Sequence, residues 1–213
     1  ARRLREHGAR GPVTRLPGLY TGATEAEPGP AEREPMVLFA GRHIREKGVD
    51  LIVPALARAR ERAPQLRAVV LGDGPERDGV SAAVRAAGLE GVVELPGFVS
   101  ADELAARLRE AACLLLPSRR EGYGMVVVEA AAAGTPAVVV DAPDNAAVEL
   151  VEHGVNGLVV APEALADALV EIVERGEELR RSTAAWFARR ATEISADRSA
   201  AQVAAAYRAS ARS

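Results

Sequence analysis

Two carboxylates eight positions apart, Glu121 and Glu129, frame the segment of this chain best suited to chemistry, EGYGMVVVE. Glu121 opens a turn that contains two glycines, and Glu129 lies in a stretch whose other residues are apolar on every side of a helix. Such a helix is normally buried, and a carboxylate inside it is costly unless donors or a cation satisfy it. The turn Gly122-Tyr123-Gly124 before Met125 leaves backbone N–H groups free at a helix start, a place suited to a phosphate. A phosphate cradle beside a carboxylate that needs hydroxyl donors describes a nucleotide with its ribose. Each acid also has a purely structural reading. Glu129 would pair with an arginine, and Glu121 would be a helix-start acid worth ~0.3–1 kcal/mol against the helix dipole.

A second loop supplies cations, in the run Gly41-Arg42-His43-Ile44-Arg45-Glu46-Lys47-Gly48. Lys47 is the single lysine among 27 basic residues, so its place in a glycine-flanked loop stands out. An ammonium acts there as a point charge where arginine offers a planar fork. Arg42 and Lys47 would bracket two phosphates, and Gly41 would let the backbone approach a ligand. Read structurally, both are ordinary surface cations. Gly72-Asp73-Gly74 is common turn material, and Gly97-Phe98-Val99 offers an apolar wall for a base. Asp73 falls in a different loop from Asp141 and Asp144, and the three lack a ligand spacing, so no metal is expected. His7, His43 and His153 read as bystanders.

The elements that must position these loops follow from the apolar pattern. Strands are expected at Met36–Ala40, Ala68–Leu71, Val92–Leu95, Cys113–Leu116, Ala137–Val140 and Leu158–Val160. Helices are expected at Val49–Arg62, Glu76–Ala87, Ala101–Ala112, Met125–Ala133, Ala146–Glu152, Glu163–Arg175, Glu177–Arg190 and Ser199–Arg212. Short apolar strands alternating with amphipathic helices predict an α/β fold, a Rossmann-like parallel sheet with helices on both faces. Ligands bind outside the carboxyl ends of such strands, which is where all four loops fall. Ahead of the first strand, a helix end at Arg2–His7 closed by Gly8 and a short strand at Val13–Leu16 are expected. Residues 1–18 read as the tail of a preceding domain absent here, and 19–35 as a linker or loose loop.

Composition narrows the classes. Aromatics are 3% of the chain, so the core must be aliphatic, and a net charge of −3 offers no nucleic-acid surface. No apolar run reaches the ~18 residues that a membrane span needs. The lone Cys113 sits in an apolar strand and cannot build a disulfide or zinc framework within one chain. These features fit a cytoplasmic protein. A dehydrogenase reading fails, because Gly72-x-Gly74 lacks the full dinucleotide fingerprint after the first strand.

Five segments, GRHIREKGVD, LGDGPERD, LPGFVSADEL, PSRREGYGMVVVEAAAAGTPAVV and VEHGVNGLVV, occur in an order and spacing that resemble the C-terminal, donor-binding domain of the retaining GT-B glycosyltransferases of the group-1, family-four type. The resemblance implies one half of a GT-B fold and a hexosyltransferase that uses a UDP- or GDP-linked sugar as co-substrate without a metal. It gives Arg42 and Lys47 the diphosphate, Glu129 the ribose hydroxyls, and Gly122, Tyr123, Gly124 and Met125 the phosphate and sugar. Glu121 would meet the transferred sugar, and Phe98 and Val99 the base. Glu121, Arg42 and Lys47 would form the catalytic set. The resemblance makes residues 1–18 a remnant of the interdomain crossover, 36–195 the nucleotide-sugar-binding domain, and 196–213 a helix that would return toward an N-terminal domain absent from this chain; the acceptor site, and any membrane association, would belong to that domain, and this chain alone is expected to be inactive. The loop Asp141–Asn145 departs from the family pattern, where many relatives carry paired glycines, while Glu149 keeps its helix-borne acid. A sugar-nucleotide 2-epimerase of the same architecture and a non-catalytic nucleotide-sugar-binding module are the alternatives.

Overall fold

The computed structural model describes residues 35–210 and, before them, 5, 6, 8, 10, 11, 13, 14, 16, 18–23 and 25. Six parallel strands form the sheet: β1 (Met36–Ala40), β2 (Arg67–Leu71), β3 (Val93–Gly97), β4 (Cys113–Leu116), β6 (Ala137–Val140) and β8 (Gly157–Val160), in the order β3-β2-β1-β4-β6-β8. β4 and β6 are buried at every residue, as strands covered on both faces must be. β3, at one edge, alternates buried and open positions and carries Pro96, a residue that an interior ladder would not accept. The register is continuous from Met36↔Arg67 to Ala40↔Leu71 and from Ala137↔Gly157 to Val140↔Val160. The expected α/β architecture is present.

The connecting helices are α1 (Ile52–Arg60), α2 (Arg77–Ala86), α3 (Ala101–Glu110) and α4 (Met125–Ala132). α2 buries Val80 and Val84, one turn apart, and leaves its other faces open. α3 starts at Ser100, whose hydroxyl accepts the Glu103 N–H at 3.1 Å. α4 buries Val127, Val128, Ala130 and Ala131. Burial pushes the Cys113 thiol up to about 12, which fits an inert core residue.

Three expectations need correction. The helix expected over Ala146–Glu152 is instead a 3-10 turn, Ala146–Leu150. The Glu152 N–H goes to the Asn156 side chain at 2.7 Å, so no α-helical bond can continue the turn. A two-residue parallel pair also joins segments read as loops, β5 (Arg120–Glu121) with β7 (Asp144–Asn145). No strand includes residues 13, 14 or 16. The described pairing nearby is one bridge between Tyr20 and Ser195.

The chain divides into two compact units, Ala23–Arg189 and a smaller one made of Ala1–Gly22 with Arg190–Ser213. Helix α5 (Leu165–Arg190), all but its last residue in the larger unit, is interrupted at Gly176, whose φ of 36° breaks the helical run between the two expected segments. In the smaller unit, Arg5 and Glu6 are helical and the Gly8 N–H closes on the Arg5 carbonyl at 3.0 Å. The start of α6 (Ala196–Ser210) holds the 18–20 segment there. The Ala196 N–H donates to the Tyr20 carbonyl at 2.8 Å, and the Ser199 hydroxyl donates to the Gly18 carbonyl at 2.5 Å.

Candidate functional site

Strand order reverses between β1 and β4, which are neighbours in the sheet although two strands separate them in sequence. A crevice outside the carboxyl ends of strands at such a switch point is where open α/β sheets bind ligands. The loop after β1 runs through a 3-10 turn, Arg45–Lys47, to Gly48. The loop after β4 runs from Pro117 through β5 to Gly124. The two loops touch. Gly48 has φ 66°, and a Cβ there would strike the Pro117 carbonyl, so only glycine lets the backbones approach this closely.

Lys47 and Glu121, which the sequence assigned separate tasks, form an ion pair across this junction. Their side chains are 20% and 13% exposed. The second Glu121 oxygen accepts the Gly122 N–H at 3.1 Å. Arg42 is exposed and has no side-chain partner among the described residues. Gly41 sits where a Cβ would meet the Phe39 ring at 3.2 Å. Its smallness serves the packing of its own strand.

Beyond Glu121 the chain reaches Gly124, in the left-handed region at φ 94° and ψ 50°, and enters α4 without a side-chain cap. The first N–H groups of that helix have no side-chain cap, and a helix start of this kind suits an anion. Glu129 follows within α4. It is half-buried, burial holds its carboxyl above the usual glutamate range, and among the described residues it has neither a hydrogen bond nor an ion-pair partner. The arginine partner of the structural reading is not there. A half-buried carboxylate without a donor is an energetic cost that a dihydroxy ligand would relieve.

Phe98 and Val99 lie just past β3, Phe98 with 75% of its surface exposed and Val99 half-buried. Arg77 fixes this corner by donating to the Leu95 carbonyl at 2.6 Å and the Gly72 carbonyl at 3.3 Å. His43 is no bystander in the fold. Its ring is fully buried against Phe39 at a centroid distance of 6.0 Å. Its N–H donates to the Asp73 carbonyl at 2.7 Å, and its carbonyl accepts the Glu76 N–H at 3.0 Å. Neither ring nitrogen meets hydrogen-bond geometry, and burial holds the imidazole below its ordinary pKa. His153 is structural, its Nδ1 accepting the Val159 N–H at 3.1 Å.

Three further residues shape the crevice and were not singled out by sequence. Arg119 forks onto Asp50 at 2.7 and 2.8 Å, and the pairing lowers the Asp50 carboxyl below its usual range. Asn145 donates to the Ser118 carbonyl at 3.0 Å and the Val140 carbonyl at 2.8 Å, tying the exits of β4 and β6 together. The unusual loop Asp141–Asn145 thus ends in a buried strut. Arg119 carries no signal in a chain whose cations are nearly all arginine. An Asn immediately before an apolar turn is a visible cap signal, but not a visible strut. Among the described residues no group of three or more His, Cys, Asp or Glu side chains is placed to hold a metal ion, and no helix is long and apolar enough to cross a membrane.

Comparison with known proteins bears on this geometry. The profile of the family described as glycosyl transferases group 1 matches residues 23–192. The chain is 33% identical over 146 residues to the alpha-D-kanosaminyltransferase of Streptomyces kanamyceticus, covering 67% of this chain and 37% of that protein. It is 31% identical over 194 residues to the GDP-mannose-dependent alpha-(1-6)-phosphatidylinositol monomannoside mannosyltransferase of Mycobacterium tuberculosis, covering 80% of this chain and 50% of that protein. Among solved structures, sucrose-phosphate synthase from Thermosynechococcus elongatus superposes with a TM-score of 0.76 at 26% identity, over 96% of this chain and 54% of that one. Anabaena HepE in complex with UDP-glucose superposes at 0.73 with 25% identity, over 83% and 49%. The chain spans between about a third and a half of the length of these curated relatives.

Proposed function

The chain belongs to the group 1 glycosyl transferases, and from that premise we propose that it is the donor-binding half of a retaining enzyme that moves a sugar from a UDP- or GDP-linked donor to an acceptor held by another domain. The observation that carries this reading is the half-buried, unpartnered Glu129 in the helix whose uncapped start follows Glu121. A carboxylate suited to a vicinal diol and an N-terminus suited to a phosphate lie on one eight-residue helix. Two relatives add support: HepE was solved with UDP-glucose, and the mycobacterial mannosyltransferase is GDP-mannose-dependent.

In this reading Glu129 accepts the ribose hydroxyls, and Phe98 and Val99 face the base. Arg42, Lys47 and the start of α4 surround the diphosphate. As the glycosidic bond breaks, negative charge collects on the departing nucleoside diphosphate. Fixed positive groups aimed at that charge lower the barrier, and one such donor contributes ~2.7–4 kcal/mol in a comparable oxyanion site. Glu121, once Lys47 turns to phosphate, accepts a hydroxyl of the sugar and orients it while its ring gains positive charge. No metal takes part.

Calorimetric titration of the chain with UDP-glucose, GDP-mannose, UDP and GDP tests the proposal. One base should bind with the nucleoside diphosphate and its sugar both recognised. Absence of binding by every one of the four at millimolar concentration contradicts it.

A further inference from the structure

Two ion pairs, not one, join the loops after β1 and β4. Lys47 meets Glu121, and three residues further along Asp50 meets Arg119, two residues before Glu121. The second pair is differently built. Both Asp50 oxygens engage the Arg119 fork, at 2.7 and 2.8 Å. The same guanidinium donates to the Arg45 carbonyl at 3.0 Å, and the Arg119 backbone N–H donates to the Glu46 carbonyl at 2.8 Å. Arg119 thus grips the backbone of the turn that carries Lys47. Asp50 in turn stands at the entrance to α1, between the buried Val49 and Ile52, so the grip is anchored to the core.

The pairs also differ in what can replace them. A bidentate arginine–carboxylate pair has matched geometry and few unmet donors. A lysine–glutamate pair is a contact between a point charge and one carboxylate oxygen, and an incoming phosphate can take over the ammonium. If Lys47–Glu121 were the sole link, opening it for a ligand would also free the two loops and cost order. With Asp50–Arg119 closed, the exchange of partners leaves the loops in place.

We propose that Asp50 and Arg119 are positioning residues, a bidentate clamp that, although its side chains are 54% and 41% exposed, keeps the β1 and β4 loops in register while the Lys47–Glu121 pair opens to admit a diphosphate. This rests on the donor-site reading above. Neither residue touches the ligand, and both act through the placement of Lys47.

The test is a double-mutant cycle on the whole chain, titrated calorimetrically with UDP and uridine and, in parallel, with GDP and guanosine. Arg119→Gln and Asp50→Asn should each weaken the diphosphate about three- to tenfold, the lower part of the range for coupled neighbours, and leave the nucleoside within about twofold. In a Lys47→Ala background the cost of Arg119→Gln should vanish, because nothing remains to be placed. Equal loss of nucleoside and diphosphate would reduce the pair to general support of the fold and overturn the proposal. So would an undiminished cost of Arg119→Gln in the Lys47→Ala background, or parental binding by both single variants. Should the parent bind no nucleotide, the donor-site reading itself fails. Should Lys47→Ala weaken the diphosphate while Arg119→Gln and Asp50→Asn do not, the clamp alone fails.

Discussion

Glu121→Gln and Lys47→Ala should shift the affinity for a nucleoside diphosphate in opposite directions. In the ligand-free chain the Lys47 ammonium is engaged by Glu121, and the two side chains keep 20% and 13% of their surface. Such a pair lies between exposed pairs, worth ~0–1 kcal/mol, and buried ones, where stripping one partner costs ~3–5 kcal/mol. About 1 kcal/mol of attraction must therefore be given up when Lys47 turns to phosphate. Glutamine keeps the shape and removes the charge, so UDP or GDP should bind Glu121→Gln about fivefold more tightly. Lys47→Ala removes a charge-assisted hydrogen bond of ~1.5–3 kcal/mol, and it also leaves the Glu121 carboxylate unneutralised in the loop that receives the phosphates. Loss of about ten- to hundredfold is expected. Uridine or guanosine, lacking phosphates, should distinguish neither variant from the parent. Calorimetry at low salt reads all of this, and the Lys47 effect should shrink as salt rises. Weaker diphosphate binding by both variants would refute the reasoning, since it would mean that the two residues act as one structural unit.

Other expectations follow from burial. Glu129→Gln should raise the melting temperature of the ligand-free chain at neutral pH while weakening nucleoside and nucleotide alike. Its folded pKa is raised by burial, so the folded state holds the proton more firmly, and stability is lost as pH climbs from the unfolded value through the folded one; an unchanged melting temperature would count against an unpartnered carboxylate. His43 has the opposite sign: its folded pKa is lowered, so stability is present above the ordinary histidine value and is lost as pH falls below it toward the folded one. His43→Leu should flatten melting temperature against pH across that window, and a profile as steep as the parent's would place the acid sensitivity elsewhere.

Much of the sheet was legible because a strand buried on both faces has to be apolar throughout. Cys113–Leu116 and Ala137–Val140 have the bounds that their sequence predicts. Helix starts with a side-chain cap, such as Ser100, were equally plain. The acids Glu121 and Glu129 stood out because each was out of place in its surroundings. Pairing across the crevice was not legible. Lys47 and Glu121 are 74 positions apart in the chain, and nothing local couples them. Arg119 was hidden by composition, one arginine among 26 in a chain with a single lysine. The turn at Ala146–Leu150 was misread as a helix because its end is decided by Asn156, beyond any local helical pattern. His43 gave no signal at all, since its burial depends on how the loop folds back over Phe39.

The central claim is that the crevice between β1 and β4 holds a nucleotide sugar, and residue-resolved amide NMR of the chain during titration with UDP-glucose and GDP-mannose tests it most directly. One of the two donors should shift the amides of Gly41 to Gly48, Gly122 to Val126 and Phe98 to Val99 with a single saturation curve, and Glu129→Ala should abolish the response. Shifts confined to other strand ends, or a response unaltered by Glu129→Ala, would contradict it.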